Sequence, residues 1–364
     1  MKKVIYILVF FIITAAVPAQ KIIENPEKAL NQKAGRILKL KEEMRIDGEG
    51  ENYYFYGVNK LQIDTEGNLY LRDSWHSQQH AHLLKFSPEG KFIIDLYKLG
   101  EGPGEIQSNY DFALGGSKVF LFDYMKRKVV VLDPDGGFIH EFKLEPASIN
   151  DFIGVYKEWL VFLREDWPVE RKTSKLYEVN DTIVFISMDG SEKKEGLTFS
   201  YQRFLISFAQ GGGMMSWDPV ILALKDNNLF VCRSMEYIIE VFNLNSGKIT
   251  QKITRDYPRV KHEQKKWEKD FIAKYDPPKR KYENDIKELF TNQDQLWVKT
   301  SFSDKEKGSL FDVFNAKGEF IDSFFINIKG RVVKIEGEYL YASESDAEDL
   351  PLLIKYRIME PILN

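Results

Sequence analysis

The chain of 364 residues predicts an all-β fold, a single six-bladed β-propeller of four-stranded antiparallel blades, on three observations. A unit of four short β runs joined by glycine-containing turns recurs six times along the sequence. One aromatic or β-branched residue in the second run of each unit (Tyr70, Phe120, Val161, Phe230, Trp297, Tyr341) recurs at intervals of 50, 41, 69, 67 and 44 residues. That spacing suits four-stranded units with insertions, and no 3.6-residue period marks a helical solenoid. The sixth unit stops after three strands, and a strand-like segment with no partner of its own precedes the first.

The extreme N-terminus stands apart. Lys2 and Lys3 precede an apolar run from Val4 to Ile13 and then "TAAVPAQ". Val17 and Ala19 sit where a signal peptidase requires small residues, so residues 1–19 read as a signal peptide cleaved before Gln20. The run is short for a membrane span, and no later segment reaches about 18 consecutive apolar residues, so an exported, soluble mature chain, periplasmic or extracellular, is expected. No cysteine stands at the cleavage point, so a lipoprotein is not indicated. Residues 20–34 read as a linker. "GRILKLKEEMRI" (35–46) alternates like a strand and would supply the missing fourth strand of the last blade, because a ring of sheets keeps raw edges unless its ends pair.

The blades follow in order. "NKLQIDTEGNLYLRD" (59–73) and "HLLKFSPEGKFIIDL" (82–96) form the first, with turns at Glu66-Gly67 and Pro88-Glu89-Gly90. Residues 111–142 form the second, with turns at Gly115-Gly116 and Asp135-Gly136. The third is looser, built from "DFIGVYKEWLVFLRED" and "DTIVFISMDGSEKKEGLTF". Residues 220–253, 288–326 and 332–359 supply the rest, so the propeller is placed at 35–360. Residues 257–285 break the β pattern: His262–Tyr275 is rich in helix formers, its rings Trp267, Phe271 and Tyr275 fall at i, i+4, i+8, and Asp276-Pro277-Pro278 ends it. This helical insertion is expected to lay its aromatic stripe on the propeller, with a lid or docking element as the sharper reading.

"GNLYLRD", "LLKFSPEGKF" and "LGEGPGE" (99–105), in that order, resemble the NHL-type repeat and the six-bladed propellers of exported bacterial proteins. The resemblance is close in the first unit, fair in the second and fifth, and covers most of the mature chain. It implies the propeller fold and carries no activity with it.

Composition narrows the partners. A formal net charge of -4 and a pI near 5.9 give no overall basic field for nucleic acid. The single cysteine, Cys232, rules out an intramolecular disulfide and reads as a half-buried packing residue of a strand.

Candidate site residues come from three segments. "DSWHSQQHAH" carries Trp75, His76, His80 and His82 beside Asp73; three imidazoles and a carboxylate could hold zinc or calcium, although a polar surface hairpin is the plainer reading. "GGGMMSW" (211–217) offers Met214, Met215 and Trp217 as an adaptable pocket wall or a blade junction. Trp267 represents the helical insertion. "LGEGPGE" lacks the Gly-Lys-Ser/Thr of a phosphate loop, Pro103 removes an N–H, and it reads as the link between the first two blades. No Gly-x-Ser-x-Gly, His-Glu-x-x-His or Cys-x-x-Cys motif occurs. The expected function is a binding scaffold whose blade-connecting loops hold a peptide, glycan or envelope protein, as a monomer with no cofactor. The alternative is a metal-assisted propeller lyase or hydrolase using Asp73, His76, His80 and His82.

Overall fold

The structure, a computed structural model, describes residues 20–73, 81–107, 110–145, 149–166, 175–208, 211–215, 219–360 and 362. Six antiparallel sheets follow one another along the chain as blades. Their first strands (Val58–Ile63, Tyr110–Gly115, Ile149–Tyr156, Val220–Lys225, Ile286–Asn292 and Arg331–Glu336) form the inner ring, each against the next and the last against the first. The six residues taken as repeat markers all lie in second strands. Every one is buried except Phe230, which is partly so.

A sheet buried on both faces reads as a near-continuous apolar run, and the middle strands do: Lys128–Leu132 and Phe320–Ile326 are buried throughout. The core is accordingly divided. Six clusters each lie between one pair of neighbouring blades, including blades 6 and 1. Phe122 of blade 2 meets Phe162 of blade 3 edge-on at 5.2 Å. Cys232 is fully buried in the cluster between blades 4 and 5, deeper than the half-buried position expected of it. At Gly90 (φ 83) a side chain would be strained, and its Cβ would stand 2.9 Å from the Met44 Sδ of the closing strand.

Closure is as the sequence predicts, with the strand shifted slightly to Leu40–Asp47. It pairs antiparallel with Pro351–Ile358 and completes blade 6. The preceding residues do more than link. Lys21–Asn25 adds a parallel fifth strand to blade 4, and Arg36–Ile37 adds another to blade 5. Between them the amides of Leu30, Asn31 and Gly35 bond to the carbonyls of Phe320, Ile321 and Ser323. The N-terminal segment is thus a belt along the outer edges of three blades.

Asn25 fastens that belt. Its Nδ2 donates to the carbonyls of Thr254 (3.0 Å) and Gly318 (2.9 Å), and its Oδ1 accepts the Phe320 N–H (2.8 Å). Asn25→Ala strands three backbone groups at a buried seam, and a loss of about 2–3 kcal/mol is expected from chemical denaturation. A loss under about 0.5 kcal/mol would show that the belt is not held there.

The insertion departs from expectation. The helix runs Lys266–Tyr275, and the residues before it are extended, with Lys261 bridged to Tyr282. Its aromatic stripe does not cover the propeller: Trp267 is exposed, and Phe271 and Tyr275 are half-buried against each other at 5.0 Å. Glu268 is the residue buried instead. Its carboxylate accepts the Lys265 N–H at 2.8 Å and faces the Nε2 of His262 at 3.2 Å. A buried carboxylate must find such partners, and that need sets the face of the helix that turns inward.

Candidate functional site

The inner strands all begin at one face of the ring, here the upper face, which carries the blade-to-blade links and the turns between second and third strands. Blade 3 rises above it. Its third and fourth strands, Lys175–Ser187 and Lys193–Phe208, are paired from Lys175↔Leu205 onward, whereas its second strand ends at Asp166↔Asn180. The five extra residues project about 17 Å at strand rise. Gly211–Met215 pairs onto their outer side.

A cleft of about 500 Å³ opens against this projection. One wall is the raised sheet, with Leu176, Glu178, Gln202 and Phe204; the other is Arg233 and Met235 from the turn of blade 4 and Pro278 to Arg280 behind the helix. Its size is that of ordinary small-ligand sites. The second wall is held by the insertion's own pairs. His262 Nδ1 faces Glu283 Oε1 at 2.6 Å, and Arg280 donates to Glu283 (3.1 Å) and Asn284 (2.7 Å). Burial works against the Glu283 carboxylate, but Lys287, His262 and Arg280 outweigh it and hold its pKa down to about 2. The side chains of Arg233 and Lys279 make no hydrogen bond or ion pair among the described residues.

Next to the cleft, on the second, third and fourth strands of blade 3, lies a polar cluster. Tyr201 donates its hydroxyl to Asp181 (2.7 Å), and Arg203 pairs with Glu165 (2.5 Å) and stands 3.9 Å from Asp181. Burial pushes the Asp181 carboxyl up to about 7, the Tyr201 hydroxyl offsetting part of it. Asp151, in the first strand of blade 3, is pushed up to about 6 by desolvation, with Glu165 and Asp111 adding to it, although its side chain is exposed to solvent, which screens the effect. Asp111 is tied to Lys60 and Arg72 at 3.1 Å. Below, the channel encloses about 470 Å³ and is lined by all six inner strands.

The candidates from sequence fall in different places. Trp75, His76, His80 and Trp217 lie outside the described residues. Asp73 and His82 belong to blade 1, opposite blade 4 in the ring and away from the cleft. Both take part in holding the fold. Asp73 accepts the Tyr56 N–H at 3.0 Å, and His82 Nδ1 meets Asp95 Oδ2 at 2.5 Å while Tyr54 packs edge-on against its ring. Asp123 does for blade 2 what Asp73 does for blade 1: it accepts the Gln107 N–H at 2.9 Å and caps its own turn through Met125 and Lys126. Among the described residues no group of three His, Cys, Asp or Glu comes together to hold a metal. Met214 and Met215 sit in the strand flanking the cleft wall, paired with Leu205 and Phe204. Trp267 lies on the exposed face of the helix, outside the cleft.

"LGEGPGE" is the link between blades 1 and 2, with Leu99 bridged to Ile106. Its amides are already taken by carboxylates: Gly102 N–H donates to Glu105 Oε2 (2.8 Å) and Gly104 N–H to Glu141 Oε2 (3.1 Å). An anion would have to displace the loop's own Glu105 and Glu141 of the fourth strand of blade 2. The cleft residues Arg233, Lys279 and Gln202 were not legible from sequence. Only the unusual length of the third unit and the break at 257–285 pointed toward them.

A family described as a 6-bladed beta-propeller matches residues 55–313. Two solved structures share the architecture. One is a Bacteroides fragilis NCTC 9343 protein named as exported, with a TM-score of 0.56 and 15% identity over 93% of this chain and 100% of that one. The other is a member of the DUF4221 family from Bacteroides vulgatus ATCC 8482, with a TM-score of 0.55 and 11% identity over 90% of this chain and 99% of that one. No curated protein matches the chain in sequence.

Proposed function

The chain belongs to that six-bladed propeller family, DUF5128, and from this premise we propose that it is an exported binding scaffold that takes its ligand in the upper-face cleft between blade 3 and the 257–285 insertion. The single observation that carries the reading is the meeting there of the two segments that depart from the plain repeat. Recognition by irregular segments on a stiff ring needs no covalent step. Export rests on the charged, apolar and small-residue order of residues 1–19, and it agrees with the name given to the Bacteroides fragilis protein. No helix among the described residues is long and apolar enough to cross a membrane. The NHL-type reading of the repeats draws support from Asp73 and Asp123, which cap equivalent strands in the same way.

A thermal-shift screen of peptides and oligosaccharides tests the site. Compounds that raise the Tm of the wild-type protein are expected to fail with Gln202→Ala/Arg233→Ala, two exposed side chains whose loss should leave the unliganded Tm unchanged. Compounds that act equally on that variant, and lose their effect with Lys334→Ala inside the channel, would move the site to the channel and overturn the proposal.

A further inference from the structure

We infer that the ligand of the cleft is an acidic, apolar polypeptide segment; this rests on the cleft being the binding site and adds the class of partner. Charge is the first observation. The side chains of Arg233 and Lys279 line the cleft without partners among the described residues, and Arg280 beside them is already paired. The insertion that supplies one wall (257–285) holds nine Lys and Arg against six Asp and Glu in a chain of net charge -4, so positive charge is in excess on that wall, and Glu178 on the raised sheet is the one carboxylate among the lining residues. A partner bearing carboxylates would be steered to it.

The apolar surface is the second observation. Leu176, Phe204, Met235 and Pro278 stand in the cleft around those cations. Aliphatic or aromatic side chains of a ligand would gain from contact with them.

Extent is the third. Exposed large apolar residues stand at the links and turns of the same face on other blades: Tyr56, Met125, Phe302 and Leu350, with Trp267 on the helix beside the cleft. A ligand confined to about 500 Å³ would leave them in water, while a polypeptide could continue across them.

The test uses two fluorescein-labelled twelve-residue peptides with the same Leu and Phe content, one carrying Asp and Glu and the other Lys, read by fluorescence anisotropy on the full mature chain. The acidic peptide is expected to bind, more weakly at high salt, and the basic one not. Arg233→Glu/Lys279→Glu should weaken binding about tenfold or more, as should Met235→Asp, while Lys118→Glu on the lower face changes nothing. Equal binding of both peptides, or indifference to Arg233→Glu/Lys279→Glu, overturns the inference. If oligogalacturonate binds in a manner abolished by Arg233→Glu and neither peptide does, the cleft stands as the site and the polypeptide falls. An unchanged circular dichroism melt of each variant separates lost binding from lost fold.

Discussion

Asp312→Ala is expected to cost about 3–5 kcal/mol of stability, the largest single effect among these substitutions. Asp312 is fully buried in the third strand of blade 5, Gly308–Phe314. Its Oδ2 accepts the Tyr237 hydroxyl of blade 4 at 2.6 Å and pairs with Arg255. Arg255 in turn lies over the Phe320 ring, 4.2 Å from its centroid, and donates to the Glu27 carbonyl of the belt at 2.8 Å. One carboxylate therefore joins blades 4 and 5, and through Arg255 the belt. Its removal leaves a guanidinium enclosed among rings with no counter-charge. The cost comes mainly from that stranded charge, so Asp312→Leu combined with Arg255→Leu should lose less than Asp312→Ala alone. Equilibrium denaturation of both variants decides it: a double variant as unstable as the single one, or a single variant within about 1 kcal/mol of wild type, would refute the account.

Stability is expected to fall as pH rises from about 4 toward 7, and Asp181 is the main cause. An unfolded aspartate titrates near 3.9, whereas in the fold this carboxyl is pushed up to about 7 by burial. Between those values the native state keeps a proton that the unfolded state has released. Stability is therefore fully present below the lower value and is lost progressively up to the higher one. Asp312, which burial also pushes up to about 6, acts in the same direction, whereas Asp151 is exposed and solvent screens its share. Full transfer would amount to about 4 kcal/mol, and relaxation around Arg203 should leave about 1–3 kcal/mol. Asp181→Asn keeps an acceptor for the Tyr201 hydroxyl and removes the titration. It should flatten most of the decline and raise the Tm at pH 8 more than at pH 4.5. A variant whose pH profile parallels the wild type would place the proton elsewhere.

The fold was legible because its signals are local. Turn glycines such as Gly67 and Gly90, the strand "GNLYLRD" and the missing last strand all lie within short windows, and each repeats. The cleft was not, because its walls come from residues near 176, 202, 233 and 279, which only the ring brings together. The histidine cluster drew attention for the opposite reason: proximity in sequence. His82 proves to face Asp95, a partner thirteen residues away across blade 1. The aromatic spacing of Trp267, Phe271 and Tyr275 fitted a buried helical stripe, yet helix period alone cannot show that Glu268 has His262 to meet. The belt was half visible: its last strand alternates like the closing strand it is, while Lys21–Asn25 is too short and polar to declare a place on blade 4.

The belt also orders events in time. Blades 1 to 3 are assembled from contacts between nearby residues, and such elements form early. Residues 20–47 emerge among the first from a ribosome or a translocon. Their partners, by contrast, lie at 251–255, 318–325 and 351–358, some 230 to 318 positions later. The strand pairings of the belt therefore wait until blades 4, 5 and 6 in turn have been made, and closing such long loops adds an entropic cost to its docking. Until then three blade edges stay open to other strands. The ring is thus latched by its first residues on its last blades, so that closure reports the completion of all six.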